Sequence, residues 1–361
     1  MTLRALALAG ACLAGCRPSC ETGLICAVAG TGELGFNGDG LPADETRLAS
    51  PTAVGVTPEG AVLVVDYSNM RVRVLGDDGV LRTVVGNGIH AYSEPGANAL
   101  ATPLENPVDA VFGADGLLYV QPQHEGRVVR VTDADTIEII AGTGVLSDGA
   151  DGVSALDAEM GYGAGMAYAA DGTLFISDTS FSRVRRVGPD GVVDTVLGTG
   201  SGEWGEPGFG PQTAIRFPER IAVDEVGDRL LVADTGNHRV LAVDLSSLAV
   251  TLVAGSGVRG DAGDDGPAHL AELDNPVGVL ATPAGDVLIA DLGNDRVRLV
   301  GADGVISTVA GGGERDATVA EPLALHMRGP AGMAWTHDGD LLVAERSGHR
   351  VLRWLGALDA L

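Results

Sequence analysis

Five times along this chain an acidic residue is followed, five residues later, by an arginine and a valine. The pairs are Asp66 with Arg71, Asp178 with Arg183, Asp234 with Arg239, Asp291 with Arg296 and Glu345 with Arg350. Guanidinium and carboxylate are strongly complementary, because parallel N–H donors can match both oxygens. Such pairs either ring a charged ligand or hold turns together. Five copies of one constellation read as scaffold, in which each acid caps its turn and pairs with an arginine of its own or a neighbouring unit. A binding site requires residues unlike the rest, and two groups qualify. Gln121-Pro122-Gln123-His124-Glu125-Gly126 stands where the other units have the acidic turn, with Gln121 in the acid's place. His124 and Glu125 are therefore ligand-binding candidates. Asp109, Glu219 and Arg220 are charged residues in otherwise small, apolar segments, with Glu105 and Arg216 just upstream. They are candidates for a site at a channel mouth.

Other chemistries leave weaker traces. The seven histidines fall at 90, 124, 238, 269, 326, 337 and 349, and none forms a paired ligand spacing. No metal ligands are assigned on that basis, and no cofactor is expected. Asn37-Gly38-Asp39-Gly40 and Asp264-Asp265-Gly266 offer oxygens that suit Ca2+ or another divalent cation, but neither is a complete ligand set. Turn geometry accounts for them better. A nucleophile elbow, a phosphate loop and a stacking platform are all absent from the sequence. The formal net charge of −26, with 49 acids against 23 bases, argues against nucleic acid as a partner.

The elements that must position these residues come from a repeat. Glycine supplies 54 of 361 residues. Much of it marks a strand ending in a glycine pair: Val28-Ala29-Gly30-Thr31-Gly32, Val84-Val85-Gly86-Asn87-Gly88 and Ile140-Ala141-Gly142-Thr143-Gly144. The series continues with Val196-Leu197-Gly198-Thr199-Gly200, Val253-Ala254-Gly255-Ser256-Gly257 and Val309-Ala310-Gly311-Gly312-Gly313. These markers begin 56, 56, 56, 57 and 56 residues apart. Prolines 51, 107, 218, 276 and 330 open five units, and Gly163 opens the remaining one. Each unit reads as four short strands: small and apolar, then continuously apolar, then alternating, then a last one running into the glycines. A fixed period with four strands per unit means an all-β, six-bladed propeller. The sixth unit ends after three strands, so residues 24–29 are expected to supply its fourth. Residues 24–361 are then one domain.

Leu231-Val232-Ala233-Asp234-Thr235-Gly236-Asn237-His238-Arg239-Val240 resembles the core of an NHL repeat, as does Val287 to Val297. The linking segments at 36–51 and 264–276 resemble those of bacterial secreted NHL proteins. The resemblance implies a propeller fold and leaves activity open. Six-bladed propellers include metal-dependent lyases and lactonases that work at the central channel. That alternative function remains open, although the matching histidine pattern is not visible here.

Leu13-Ala14-Gly15-Cys16 resembles the lipobox of bacterial lipoproteins, behind the positive Arg4 and a short apolar run. The resemblance implies a signal peptide at 1–15, acylation of Cys16 and a lipidated tether at 16–23. Export and anchoring to a cell-envelope membrane follow, with the non-acidic Arg17 pointing to the outer one. Cys20 and Cys26 are candidates for a disulfide in that oxidising place. In a propeller the loops between second and third strands share a face with the connectors between units. Four of those connectors, at 30–50, 86–106, 142–162 and 198–217, exceed what simple connection needs. The expected function is a monomeric binding scaffold that meets a protein, peptide or envelope polymer on this long-loop face.

Overall fold

The computed structural model describes residues 20–361. The expected signal peptide, Cys16 and most of the tether lie outside those residues. Twenty-eight strands form six antiparallel sheets, each with one edge strand facing the axis and the following strands in order outward from it. The inner strands Ala53–Val56, Pro107–Phe112, Gly163–Tyr168, Pro218–Asp224, Pro276–Ala281 and Pro330–Trp335 pack each against the next. The last of them packs on the first, so the ring closes. Ile25–Ala29 pairs antiparallel with Arg350–Trp354, which makes the N-terminal strand the fourth strand of blade six. That pairing covers an edge that would otherwise expose unpaired backbone.

The apolar core is six layers between blades rather than one centre. Leu63 and Val65 face blade two, where they meet Val120 and Val129. Val64, between them in sequence, faces blade six and meets Leu342 and Ala344. A strand sandwiched on both faces must be apolar at every position, which explains the unbroken runs Val62 to Val65 and Val287 to Ala290.

The structure adds a feature to the four-stranded blade. Leu41–Pro42, Val153–Ser154, Gly266–Pro267 and Val319–Ala320, all from connectors, pair outside the fourth strand of blades one, three, five and six. The connectors are therefore long partly because each travels over the outer edge of the next blade. A backbone latch accompanies the path. Gly30 N donates to Ala43 O, and Ala43 N donates to Gly79 O, tying blade six to blade one. The same pair of bonds recurs at Gly86, Ala99 and Asp135, and at Gly142, Ala155 and Gly191. The first glycine of each pair is required by this geometry. Gly86 has φ of +95°, and a Cβ there would lie 2.3 Å from the Met70 carbonyl oxygen.

Cys20 and Cys26 are joined by a disulfide, and Cys26 lies inside the N-terminal strand. No helix among the described residues is long and apolar enough to cross a membrane.

Candidate functional site

The repeated acids sit at the ends of the second strands, fully or almost fully buried. Each receives a backbone N–H from the end of the preceding connector. Ala49 N donates to Asp66 at 2.7 Å, Gly161 N to Asp178 at 3.1 Å, and Arg216 N to Asp234 at 2.7 Å. Asp274 N and Arg328 N do the same for Asp291 and Glu345. The acid thus fastens the connector rather than only its own turn. Burial pushes Asp66, Asp178 and Asp291 up to about 6, against the pull of the hydrogen bonds and arginines. Asp234 and Glu345 are raised for the same reason.

The arginine partner depends on the residue two places further on. In blades four and six the third strand reads Arg-Val-Leu, and Arg239 and Arg350 donate to Asp234 and Glu345. In blades one, three and five it reads Arg-Val-Arg, and the second arginine is the buried one. Arg73 lies 3.4 Å from Asp66, and Arg298 lies 3.8 Å from Asp291. Arg185 supplies the positive charge facing Asp178. Arg71 turns outward to the carbonyls of Gly86 and Asn87, while Arg183 and Arg296 turn to Asp148 and Asp261. The buried arginines also hold the connector acids. Asp39 meets Arg73 and Thr83, Asp151 meets Arg185 and Thr195, and Asp264 meets Arg298 and Thr308. The carboxylates of Asp39 and Asp264, in the Asn37–Gly40 and Asp264–Gly266 loops, therefore face guanidinium groups.

Blade two differs in a way the sequence comparison placed one residue off. Pro122, not Gln121, pairs across from Pro107, just as Asp178 pairs across from Gly163. Without an acid at that place, Glu125 takes over the fastening role. It is buried and accepts from Ser93 N and Ser93 Oγ, both at 2.7 Å. Burial raises its carboxyl above the ordinary range. Glu105 stands where Ala49 and Gly161 stand in neighbouring units, and it sends a carboxylate back toward the turn. His90 Nε2 lies 2.5 Å from one of its oxygens. His124 Nδ1 lies 2.8 Å from the other, which also accepts from His124 N at 3.1 Å. The His124 ring stands edge-on to Tyr162 at 4.6 Å. So the structure brings His124 to Glu105 and His90, and separates it from the role of its neighbour Glu125.

On the axis, Asp109 and Arg220 are brought to each other at 2.8 Å. Arg220 also donates to the carbonyls of Thr52 and Val108, and Asp109 accepts from Met166 N. This strut ties blades one to four across the channel and takes up both Asp109 oxygens and both terminal nitrogens of Arg220. A cavity of about 70 Å3 opens on one side of Arg220, toward Tyr67, Gln123, Glu219 and Arg346. A cavity of about 300 Å3 with largely apolar walls lies on the other side, toward Phe112 and Trp335. Glu219 lines the smaller cavity, where desolvation pushes its carboxyl up against the pull of Arg346 and Arg220. No histidine lines either cavity.

The pattern of the teneurin NHL domain matches residues 21–156 and 156–330. The chain belongs to the teneurin NHL domain family. Teneurin-m of Drosophila melanogaster is 28% identical over 296 residues, which is 74% of this chain and 10% of the relative. The chain therefore spans about a tenth of that relative's length. Among solved structures, an auxiliary nutrient binding protein from Bacteroides ovatus superposes with a TM-score of 0.67 at 13% identity. The superposition covers 91% of this chain and 76% of that one. Virginiamycin B lyase from Staphylococcus aureus gives 0.52 at 13% identity, covering 87% and 82%. At such identities the likeness is one of fold.

In this NHL propeller the residue pairs that sequence spacing could not join are Glu105 with His90 and Glu105 with His124. One signal was available: at the connector position held by Ala49 and Gly161 in neighbouring units, blade two carries a carboxylate, as blade five does with Asp274. The connectors also carry most of the exposed apolar surface. Among the described residues, every exposed large hydrophobic side chain except Val226, Val305 and Leu358 lies on a connector.

Proposed function

We propose that this chain is an exported, lipid-anchored binding scaffold of the cell envelope, docking a protein partner through its connector face. The observation that carries the reading is the concentration of exposed apolar side chains on the connectors. Ile89, Val145 and Val258 each follow directly the second glycine of a pair and are more than half exposed. The scaffold gains nothing from apolar groups held in water, whereas burying them in an interface is favourable. The strut between Asp109 and Arg220 supports the same reading, since both carboxylate oxygens and both terminal guanidinium nitrogens are committed to the fold. The resemblance of Leu13 to Cys16 to a lipobox supports the anchor, and acyl chains at Cys16 would tie the propeller to a bilayer.

Two measurements test this. Cells fed radiolabelled palmitate should label the wild type and not Cys16→Ser, and that variant should leave the membrane fraction. In the native host, chemical crosslinking should give a discrete adduct with the wild type. Ile89→Asp/Val145→Asp/Val258→Asp should abolish it while keeping the wild-type melting temperature. An unchanged adduct in the triple variant places the contact elsewhere and refutes the connector face.

A further inference from the structure

We propose that His90, Glu105 and His124 form a site for one divalent transition-metal ion of the zinc class. Their ligand atoms, two imidazole nitrogens and a carboxylate oxygen, all lie within 4.8 Å of one another. Two imidazoles with one carboxylate are the donor set that zinc and similar borderline ions prefer, and three protein ligands leave coordination positions open. Around a tetrahedral ion with bonds of about 2.1 Å, donor atoms stand about 3.4 Å apart. The present contacts of 2.5 and 2.8 Å would have to widen by less than about 1 Å. His90 has the freedom to do so, with 54% of its side chain exposed.

The remaining parts of the site are already oriented. Glu105 is buried, and His124 N holds one of its oxygens in place. Tyr162 fixes the plane of the His124 ring, and the Tyr92 hydroxyl donates to the His124 carbonyl at 3.3 Å. Outer contacts of this kind set ligand direction in metal sites. Neither imidazole belongs to the repeat, since no other blade has a histidine at the position of His90 or His124. In the other blades the repeated acid fastens the connector end; in blade two Glu125 holds the connector earlier, at Ser93, and Gln123 N holds its end through the Glu105 and Asn106 carbonyls. Beyond the His124 backbone N–H that it accepts, the Glu105 carboxylate turns to two imidazoles, at a position where the adjoining units have alanine or glycine. The strongly negative chain favours a cation over an anion as the occupant.

The site lies beside the channel mouth. Gln123, which lines that mouth, donates its backbone N–H to the Glu105 carbonyl. The open positions of the ion would face solvent past His90 and His124, and would take water or an oxygen donor from whatever docks there. The metal site stands independently of the docking surface proposed above.

The test is calorimetric titration of zinc chloride into full-length protein that carries no affinity tag and has been stripped with EDTA and dialysed. One equivalent is expected to bind with a Kd below about 10 µM, and zinc is expected to raise the melting temperature. His90→Ala and His124→Ala should each weaken binding about tenfold or more, with unchanged melting temperature in the absence of zinc. His326→Ala, on another connector, should bind as the wild type does. Binding weaker than about 10 µM in the wild type, or equal binding in both histidine variants, overturns the proposal. If a variant melts early, Glu105→Gln replaces it, since the amide keeps the volume and removes the charged ligand.

Discussion

Asp234→Ala is the substitution whose consequence the structure defines most fully. The carboxylate is buried and accepts from Arg216 N at 2.7 Å, from Arg239 Nε at 2.7 Å, and from Asn237 Nδ2 at 3.0 Å. Arg239 has no exposed side-chain surface, so alanine would leave a guanidinium inside the protein without its counter-charge. Its bonds to the carbonyls of Gly205 and Ala214 remain, but carbonyls do not neutralise it. Removing one partner of a buried pair costs about 3–5 kcal/mol. Unfolding entropy for a chain of this size is about 0.7 kcal/mol per kelvin, so about 4 kcal/mol lowers Tm by about 6 °C. Calorimetry at pH 7.5 is the assay, because burial raises the Asp234 carboxyl and a higher pH favours its charged form. Tryptophan fluorescence gives a second readout, since the Arg239 guanidinium lies 3.9 Å from the Trp204 ring centroid. Asp234→Ala/Arg239→Leu removes the stranded charge and should recover about half of the loss. A cost below about 1 kcal/mol for the single variant, or a double variant no more stable than the single, refutes the assignment of the repeated acids as buried counter-charges.

Two further outcomes follow from the same geometry. Gly86→Ala should destabilise by about 3 kcal/mol or more, because the added Cβ meets the Met70 carbonyl. Gly116→Ala, also at positive φ but with open space around it, should cost only about 1 kcal/mol in the same denaturant titration. Stability should rise by a few degrees of Tm as pH falls from 7.5 to 5. Asp66, Asp178 and Asp291 titrate near 6 when folded and near 3.8 when unfolded, so the folded state binds more protons in that window. His238 and His349 are lowered by burial and act in the opposite direction, but they are fewer than the raised carboxylates. Asp66→Asn should flatten the profile, and a Tm that falls steadily from pH 7.5 to 5 would contradict the burial of these acids.

The blade count, the ring and its closure were legible because each depends on a local signal repeated six times. A glycine ending a strand at positive φ is needed wherever a chain turns beside another backbone, and that need recurs every 56 or 57 residues. The missing fourth strand of blade six could be counted from the ends. The role of the acids was partly visible: their burial follows from the pattern, but the backbone donor lies 17 residues upstream in four of the five copies. The choice between Arg71 and Arg73 depends on which guanidinium the neighbouring connector covers. A rule for it, Arg-Val-Arg against Arg-Val-Leu, became readable only after the contacts were seen.

Blade two shows where sequence reasoning stops. Its altered turn stood out, and His124 was singled out from it, but spacing alone paired His124 with its neighbour Glu125. Adjacent residues in an extended turn point apart, and here Glu125 goes to Ser93 while His124 goes to Glu105. His90, Glu105 and His124 span 35 residues of chain. They converge because the connector from blade one passes the turn between the second and third strands of blade two both near its start, at His90 and Ser93, and at its end, at Glu105. The amino-acid sequence by itself determined the fold, since a repeat records the same local physics many times over. The site was decided by tertiary structure, because it is built where one unit breaks the repeat and its neighbours hold the broken parts together.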